Sequence, residues 1–329
     1  MRTKPFQNLS EAFKYYRDNP DGSLPLSEVA RASEFSIFMQ KGLNTLLLKG
    51  YTEYVGVWQQ IMSETTSDML LEQYPNLGTV STTTRRLPGG EFETLNFSSE
   101  NVGILNQESG GILEIDRWML ENDQTKAIQA RPQQMGKACA REKDVAAGAF
   151  YNDGDATTIY DAAYMFAAAA SEHPNITGGS ANTANCNDLA LGALTQANLE
   201  TALEALDLWR GLEGEILDIN AVKLVVSSNQ KFIAHRVLQS QFDTAATMGH
   251  VKNVVAGIVD LVVCKRFDND EWYLLTDVPG NVAQIRRKPQ LVKEADDAGT
   301  SFDNRIYRYR IDDAWAMGCA DWRFGMKGN

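Results

Sequence analysis

Histidine is nearly missing. The 329 residues hold three, His173, His235 and His250, and no two are close in sequence. There is no H-E-x-x-H and no H-x-H, so a metal site would have to be gathered from distant segments. The four cysteines, Cys139, Cys186, Cys264 and Cys319, are widely spaced and form no C-x-x-C. Buried free thiols are the expectation, because a reducing cytosol disfavours disulfides. Long apolar runs are missing too. The longest, Ala162 to Ala170, spans nine residues, far below the roughly 20 that cross a bilayer. The N-terminal MRTKPFQNLSEAFKYY has no apolar core of signal-peptide length, so a chain made and kept in a cytosol is expected.

Catalytic signatures are equally thin. No G-x-S-x-G elbow, Walker loop or G-x-G-x-x-G occurs. Asn152-Asp153-Gly154-Asp155 lacks the spacing and the terminal glutamate of a calcium loop and reads as a turn that ends a long helix. No cofactor or metal is expected. Positive charge is in deficit, with 31 Lys and Arg against 43 Asp and Glu, a net charge of −12. Such a surface repels nucleic acid, which excludes a general DNA or RNA binder. It is compatible with facing DNA across water without gripping it.

The remainder is ordinary globular composition, 43% hydrophobic and 22% charged, enough for one large or two medium domains. Residues 1 to about 32 are mixed and polar and read as an arm. Ser33 is expected to cap a helix running to about Lys49, striped by Phe35, Phe38, Met39, Leu43, Leu46 and Leu47, with Gly50 as its stop. Helical spacing resumes through Tyr54, Val57, Trp58 and Ile61. SETTSD breaks it, and EQYPNLG reads as a turn.

Arg85 to Ile115 reads as two extended arms with turns at Pro88-Gly89-Gly90 and Ser109-Gly110-Gly111. Phe92, Thr94, Asn96 and Ser98 fall on one face; Glu93, Leu95, Phe97 and Ser99 fall on the other. Each face mixes apolar and polar groups, and an isolated two-stranded ribbon is marginal in water. Such a ribbon is expected to pack on a neighbouring subunit.

Asn122 or Asp123 can cap a long helix running to Phe150. Its expected stripe is Ile128, Met135, Cys139, Ala146 and Phe150, with a kink or interruption at Pro132. A narrow stripe among many charges suits a strut lying across a sheet. A loop-rich segment runs to about Gly192, where His173, before Pro174, reads as a turn residue. Thr195 is the expected cap of a helix to about Gly211, striped by Leu199, Ala202, Leu203, Leu206 and Trp209. AVKLVVSS reads as a strand and NQKFIAHRVLQSQ as a short helix carrying a partly exposed His235. VVAGIVDLVVCKRF and EWYLLTDV read as a hairpin joined at Asp268-Asn269-Asp270. In RIYRYRID, Tyr307, Tyr309 and Ile311 share one face. The six tryptophans read as core anchors.

In this order the segments resemble the major head subunit family of Mu-type tailed phages, within the Hong Kong 97-type capsid fold, an α+β architecture. The pieces that carry the resemblance are W-x-x-I followed by SETTSDMLLEQYPNLG, then ILEIDRWMLENDQTKAIQARPQQMGKACA, FYNDGD, the HPNITGGSANTAN loop, LTQANLETALEAL and AVKLVVSSNQKFIAHRVLQSQ. It covers most of the chain from about Phe35. It implies an N-terminal arm over residues 1–65, a connector over 66–79 and an extended β-hairpin loop over 80–118 that lies on an adjacent subunit. A peripheral domain over 119–194, with a spine helix at 123–150, would follow. An axial domain over 195–289 and return strands of the peripheral domain over 290–329 would complete the chain.

The implied role is a non-enzymatic major capsid protein. It would assemble with copies of itself, as pentamers and hexamers, into an icosahedral head around a phage genome. Scaffolding, portal and decoration proteins are the other implied partners. Packaged DNA would be faced without sequence-specific binding, no membrane is involved, and the chain would pass from the host cytoplasm to the virion. Within the loop, Phe92, Leu95 and Phe97 are the expected intersubunit anchors, and Arg85, Arg86, Glu91 and Glu93 the expected rim ion pairs. Gly89, Gly90, Gly110 and Gly111 would be hinges. The sequence departs from the family at Ala156 to Glu172, where DAAYMFAAAASEHP replaces the usual D-G-x-x-L-F-S before H-P. No lysine–asparagine crosslinking motif is matched. An encapsulin-like cargo nanocompartment, a tail or baseplate protein and a cytosolic α/β enzyme are the open alternatives.

Overall fold

The computed structural model describes residues 32–80, 97–116, 127–168, 173, 185–211, 216–242, 252–268, 270–294 and 306–329. The helices are α1 (Ala32–Glu53), α2 (Trp58–Ile61), α3 (Ala127–Asn152), α4 (Gln196–Asp207) and α5 (Lys231–Gln239). The strands are β1 (Ser63–Thr66), β2 (Leu71–Val80), β3 (Phe97–Leu105), β4 (Gln107–Asp116), β5 (Ala221–Ser227), β6 (Asp260–Cys264), β7 (Trp272–Thr276), β8 (Asn281–Lys293), β9 (Ile306–Cys319) and β10 (Gly325–Lys327). They form two four-stranded sheets, ordered β1-β8-β9-β4 and β10-β7-β5-β6, and a two-stranded ribbon, β2-β3. The chain divides into two compact units. One takes Met1–Val55, Glu108–Arg141 and Arg287–Asp313; the other takes Gly56–Gln107, Glu142–Arg286 and Ala314–Asn329.

In the first unit two helices meet backbone to backbone. A Cβ added to Gly50 of α1 would lie 2.1 Å from the Gln133 carbonyl oxygen, and one added to Gly136 of α3 would lie 2.0 Å from that of Leu47. Only glycine permits so close an approach. Gly50 is therefore not a stop: α1 runs through it to Glu53. Leu43, Leu47, Ile115, Leu291, Tyr309 and Ile311 form the core around the crossing, with Met135 and Cys139 packed against it. The alternation expected of β9 holds. Tyr309 and Ile311 point inward, while Arg308 pairs with Glu114 at 2.9 Å and Arg310 with Asp312 at 2.7 Å.

The stripe of α3 is displaced by one residue from the expected one. Pro132, Gly136, Ala140, Asp144, Ala147, Gly148 and Tyr151 are buried, whereas Met135, Cys139, Ala146 and Phe150 only flank them. The small residues face inward because they allow close packing, a signal that hydrophobicity does not carry. Pro132 lies inside the helix and does not interrupt it. The expected caps Asn122 and Asp123 lie outside the described residues. At the other end α3 stops at Asn152 and a turn follows, as the Asn152–Asp155 stretch requires.

The second unit is a sheet with a core on each face. Val225, Tyr273 and Leu275 point to one side, where Trp58, Ile61, Tyr151, Phe166 and Phe324 pack. Leu224, Val226, Trp272 and Leu274 point to the other, where α4 lays Leu199, Ala202 and Leu206 and α5 lays Ala234, Val237 and Leu238. This is period-two strand alternation serving two buried faces. Thr195 caps α4 as expected, its side chain accepting from the Asn198 N–H at 3.1 Å. The expected hairpin does not form. β6 and β7 both pair with β5, parallel and antiparallel respectively, so β5 lies between them. Residues 265–271 are long enough to step across one strand, which a two-residue hairpin turn is not. The alanine-rich departure is irregular but not peripheral: Met165, Phe166 and Ala167 are buried.

Candidate functional site

The residues expected to make intersubunit contacts fall largely outside the description. Arg85, Arg86, Gly89, Gly90, Glu91, Phe92, Glu93 and Leu95 lie outside the described residues, and Phe97 is placed only by its backbone, opposite Val80 at the start of β3. Gly110 and Gly111 are described and correct the reading. They lie within β4, not in a turn. A Cβ on Gly110 would sit 2.0 Å from the Ile311 carbonyl oxygen, so this glycine serves close strand approach.

The ribbon itself also begins earlier than expected. Its first arm is β2, so EQYPNLG is strand rather than turn, with Pro75 opposite Asn101. Among the described strands β2 and β3 pair with no third strand, and proline is tolerated on an edge strand. The base of the ribbon has one buried face. Val102, Ile104 and Asn106 are buried and alternate with exposed Asn101, Gly103 and Leu105. The Tyr74 hydroxyl donates to Gln284 Oε1 at 3.0 Å, and Gln284 Nε2 donates to the Ile104 carbonyl at 3.1 Å. Asn106 Nδ2 donates to Ser67 Oγ and to the Met69 carbonyl, each at 2.8 Å.

The opposite face is apolar and exposed at its Leu71–Leu105 end, beyond the Asn101–Gln73 hydrogen bond. Leu71 and Leu105 are cross-strand partners, exposed by 47% and 53%, and Met69 and Leu70 beside them by 66% and 59%. Covering the exposed half of one such leucine is worth about 1 kcal/mol. A connector over 66–79 hides this pair; the sequence signal for it is the alternation of Val102, Ile104 and Asn106.

The ionisable groups serve structure. His173, whose neighbours on either side, Pro174 included, lie outside the described residues, is buried. Its Nδ1 lies 2.7 Å from Asp161 Oδ2, its Nε2 lies 3.2 Å from Asn187 Oδ1, and its ring stacks on Trp322 at 4.2 Å. Asn187 is the centre of this knot. Its Oδ1 accepts from the Ala167 N–H at 2.6 Å, and its Nδ2 donates to the carbonyls of Met165, Trp322 and Gly325 at 2.8, 3.4 and 3.3 Å. No nucleophile approaches the imidazole in these contacts. Asn187→Leu should lower the unfolding free energy by about 3 kcal/mol or more, because it strands several buried partners. Urea melts of the two proteins check this.

His235 is partly exposed on α5, and His250 lies outside the described residues. Among the described residues no group of three or more His, Cys, Asp or Glu could hold a metal, and no helix is long and apolar enough to cross a membrane. The four cysteines are free, and burial pushes the Cys264 and Cys319 thiols up, away from the reactive thiolate.

Burial also pushes up the phenols of Tyr151 and Tyr273. For Lys327, burial lowers the ammonium pKa, but Glu271 and Asp155 outweigh it, and the net direction is upward. Lys327 Nζ lies 3.1 Å from Asp155 Oδ2 and 3.3 Å from Glu271 Oε1. All three groups hold their protons more tightly when folded. Their stabilisation is complete below the unfolded pKa values, near 10, and is lost as pH rises above them. Stability should therefore fall above about pH 10, and Lys327→Met should flatten part of that fall. Denaturation midpoints at neutral and alkaline pH measure the difference.

Comparison with known proteins decides the family. Residues 105–328, about two thirds of the chain, match the phage capsid protein family. The chain belongs to that family. Its fold is the Hong Kong 97-type α+β architecture, as solved capsids show. The capsid of an empty GTA particle aligns over 83% of this chain and 88% of its own at 10% identity, with a TM-score of 0.56. The capsid of bacteriophage JBD30, decorated with minor capsid protein trimers, aligns over 65% and 92% at 16% identity, with a TM-score of 0.52. Another JBD30 capsid structure aligns over 82% of this chain and 64% of its own at 13% identity, with a TM-score of 0.47. The chain thus spans under two thirds of that JBD30 subunit. No curated protein matches. With a capsid family in place, the enzyme alternative falls.

Proposed function

We propose that this capsid protein is the major head subunit of a tailed phage, assembling through pentamers and hexamers into an icosahedral shell around the genome. The observation that carries the reading is the ribbon. Its base is fastened to the subunit by Tyr74, Ile104 and Asn106, while Leu71 and Leu105 stay exposed on the other side. A monomer gains nothing from such a face; a neighbour covers it. The extended loop of the resemblance corresponds on this reading to β2, β3 and the residues between them. The spine helix corresponds to α3, and the axial domain to the part that carries α4, α5 and β5 to β7. Loop residues Phe92, Leu95 and Phe97 remain candidate anchors beyond the fastened base, with Arg85, Arg86, Glu91 and Glu93 at the rim and Gly89 and Gly90 as hinges.

Scaffolding, portal and decoration proteins are the partners such a shell takes, and packaged DNA faces a subunit of charge −12 without tight binding. The virion is then its final location. Sedimentation velocity on the purified protein, with negative-stain images of any fast fraction, tests the role. Closed shells or capsomer-sized rings establish it. A chain that stays monomeric when co-expressed with its neighbouring gene products overturns it.

A further inference from the structure

Two helices of the second unit carry opposite, unmatched charge. Between Gln196 and Asp207, α4 holds Glu200, Glu204 and Asp207 and no base; between Lys231 and Gln239, α5 holds Lys231 and Arg236 and no acid. Glu204, Asp207, Lys231 and Arg236 are all exposed. None of the four has an ion-pair partner among the described residues. In a chain of net charge −12, a helix with two cations, no acid and no ion pair among the described residues is a local reversal of sign.

Each charged face also carries a misplaced apolar side chain. Leu208, at the end of α4, is 56% exposed, and Phe232 on α5 is 73% exposed. Glu204 and Leu208 are four residues apart, as are Phe232 and Arg236, so each pair lies on one side of its helix, about one turn apart. Lys231 Nζ lies 5.8 Å from the Phe232 ring centroid, and Arg236 Nε donates to the Phe232 carbonyl at 3.4 Å. An exposed aromatic ring beside a cation is a large apolar surface that a partner can cover.

The two helices sit at opposite edges of one layer. Both cover the same face of the sheet ordered β10-β7-β5-β6. Helix α5 packs on β5 and β6. Helix α4 is tied to the other edge: Asn198 Nδ2 donates to the carbonyls of Leu191 and Ala193 at 2.9 and 2.8 Å. Leu189 and Leu191 in turn donate to the carbonyls of Lys327 and Gly328, alongside β10. Complementary surfaces on opposite edges cannot meet within one copy. Between copies they can meet head to tail, an arrangement that closes into a ring where the rotation allows.

We propose that the α4 face of one copy, Glu204, Asp207 and Leu208, docks on the α5 face of the next, Lys231, Phe232 and Arg236, as the repeating contact within a capsomer ring. The inference rests on the shell reading and names one surface that the shell uses. Opposite charges set the direction of the contact and reject the reverse pairing of like faces.

Charge reversal separates the possibilities. Arg236→Glu and Glu204→Lys are surface changes and should leave the thermal midpoint of the subunit in place. Each should lower the fraction sedimenting as rings or shells about tenfold, the scale of a lost interfacial charge pair. The double variant Arg236→Glu/Glu204→Lys should recover assembly, because the pair is restored with its signs exchanged. Phe232→Ser should lower assembly as the single reversals do, and higher salt should weaken the wild type. If the wild type assembles and the single reversals assemble equally well, the contact is wrong while the shell reading stands. If the double variant assembles no better than either single, the two faces do not meet. Wild-type protein that forms no assembly even with its neighbouring gene products removes both.

Discussion

Gly136→Ala should destabilise the protein by about 2 kcal/mol, while Gly42→Ala should stabilise it by up to about 1 kcal/mol. Both glycines lie inside helices, where alanine is intrinsically better by about that last amount. The surroundings decide the sign. Among the described residues nothing lies within 4 Å of a Cβ at Gly42, whereas at Gly136 the Leu47 carbonyl oxygen would stand 2.0 Å away and the Tyr51 nitrogen 2.8 Å away. Both obstacles are backbone, which cannot rotate aside, so the helices must part. Overpacking of this kind costs about 1–3 kcal/mol, occasionally more, and the separation also loosens Leu43 and Leu47 in the core. Gly136→Leu should exceed about 4 kcal/mol, the range where a single change is diagnostic of one broken feature. Urea unfolding followed by helical circular dichroism measures all three. A stabilising Gly136→Ala would mean that the crossing has slack and that this glycine is not what sets the helix spacing.

Gly136 also shows where the sequence stops being legible. Thr195, the alternation of Tyr309 and Ile311, and the strand AVKLVVSS were readable because each uses one local rule: a cap, a period of two, a run of β-branched residues. The stripe of α3 was not, because half of its buried positions are Gly136, Ala140, Ala147 and Gly148, small residues that admit close packing, and Lys143 and Asp144 are buried beside them. Gly50 and Gly110 misled in the same way. A glycine that ends a helix or makes a turn looks the same in one dimension as a glycine that admits a neighbouring backbone. Pro75 reads as a turn because proline is rare inside paired strands; it is accommodated in a ribbon whose strands pair with no third strand among the described ones. The Asp268–Asp270 hairpin failed on topology: β5, some 40 residues earlier, inserts between β6 and β7, and local turn chemistry carries no trace of that. The open face of Leu71 and Leu105 depends on a register across the ribbon, which emerges once Tyr74 and Val102 are seen opposite one another.

Replacing residues 81–96 by a two-residue Asn-Gly turn should leave a folded subunit that closes no shells. β2 and β3 already meet at Val80 and Phe97, and an Asn-Gly turn suits two antiparallel strands. The ribbon base would keep the bonds of Tyr74 to Gln284, of Gln284 to Ile104 and of Asn106 to Ser67, along with buried Val102 and Ile104. A wider cut, from Gly90 to Ser109, would remove Ile104 and Asn106 and confound folding with assembly. The short replacement should therefore shift the thermal midpoint by no more than a few degrees, the scale of about 1 kcal/mol for a chain of this size. Meanwhile the shell fraction in sedimentation should fall to background. Arms that reach a neighbour contribute through many weak contacts at once, and losing the reach removes all of them together. Normal shells from the shortened chain would mean that the segment beyond Val80 is not the part that reaches over. The apolar base at Leu71 and Leu105 would then have to make the contact alone, and Leu105→Asp would become the decisive variant.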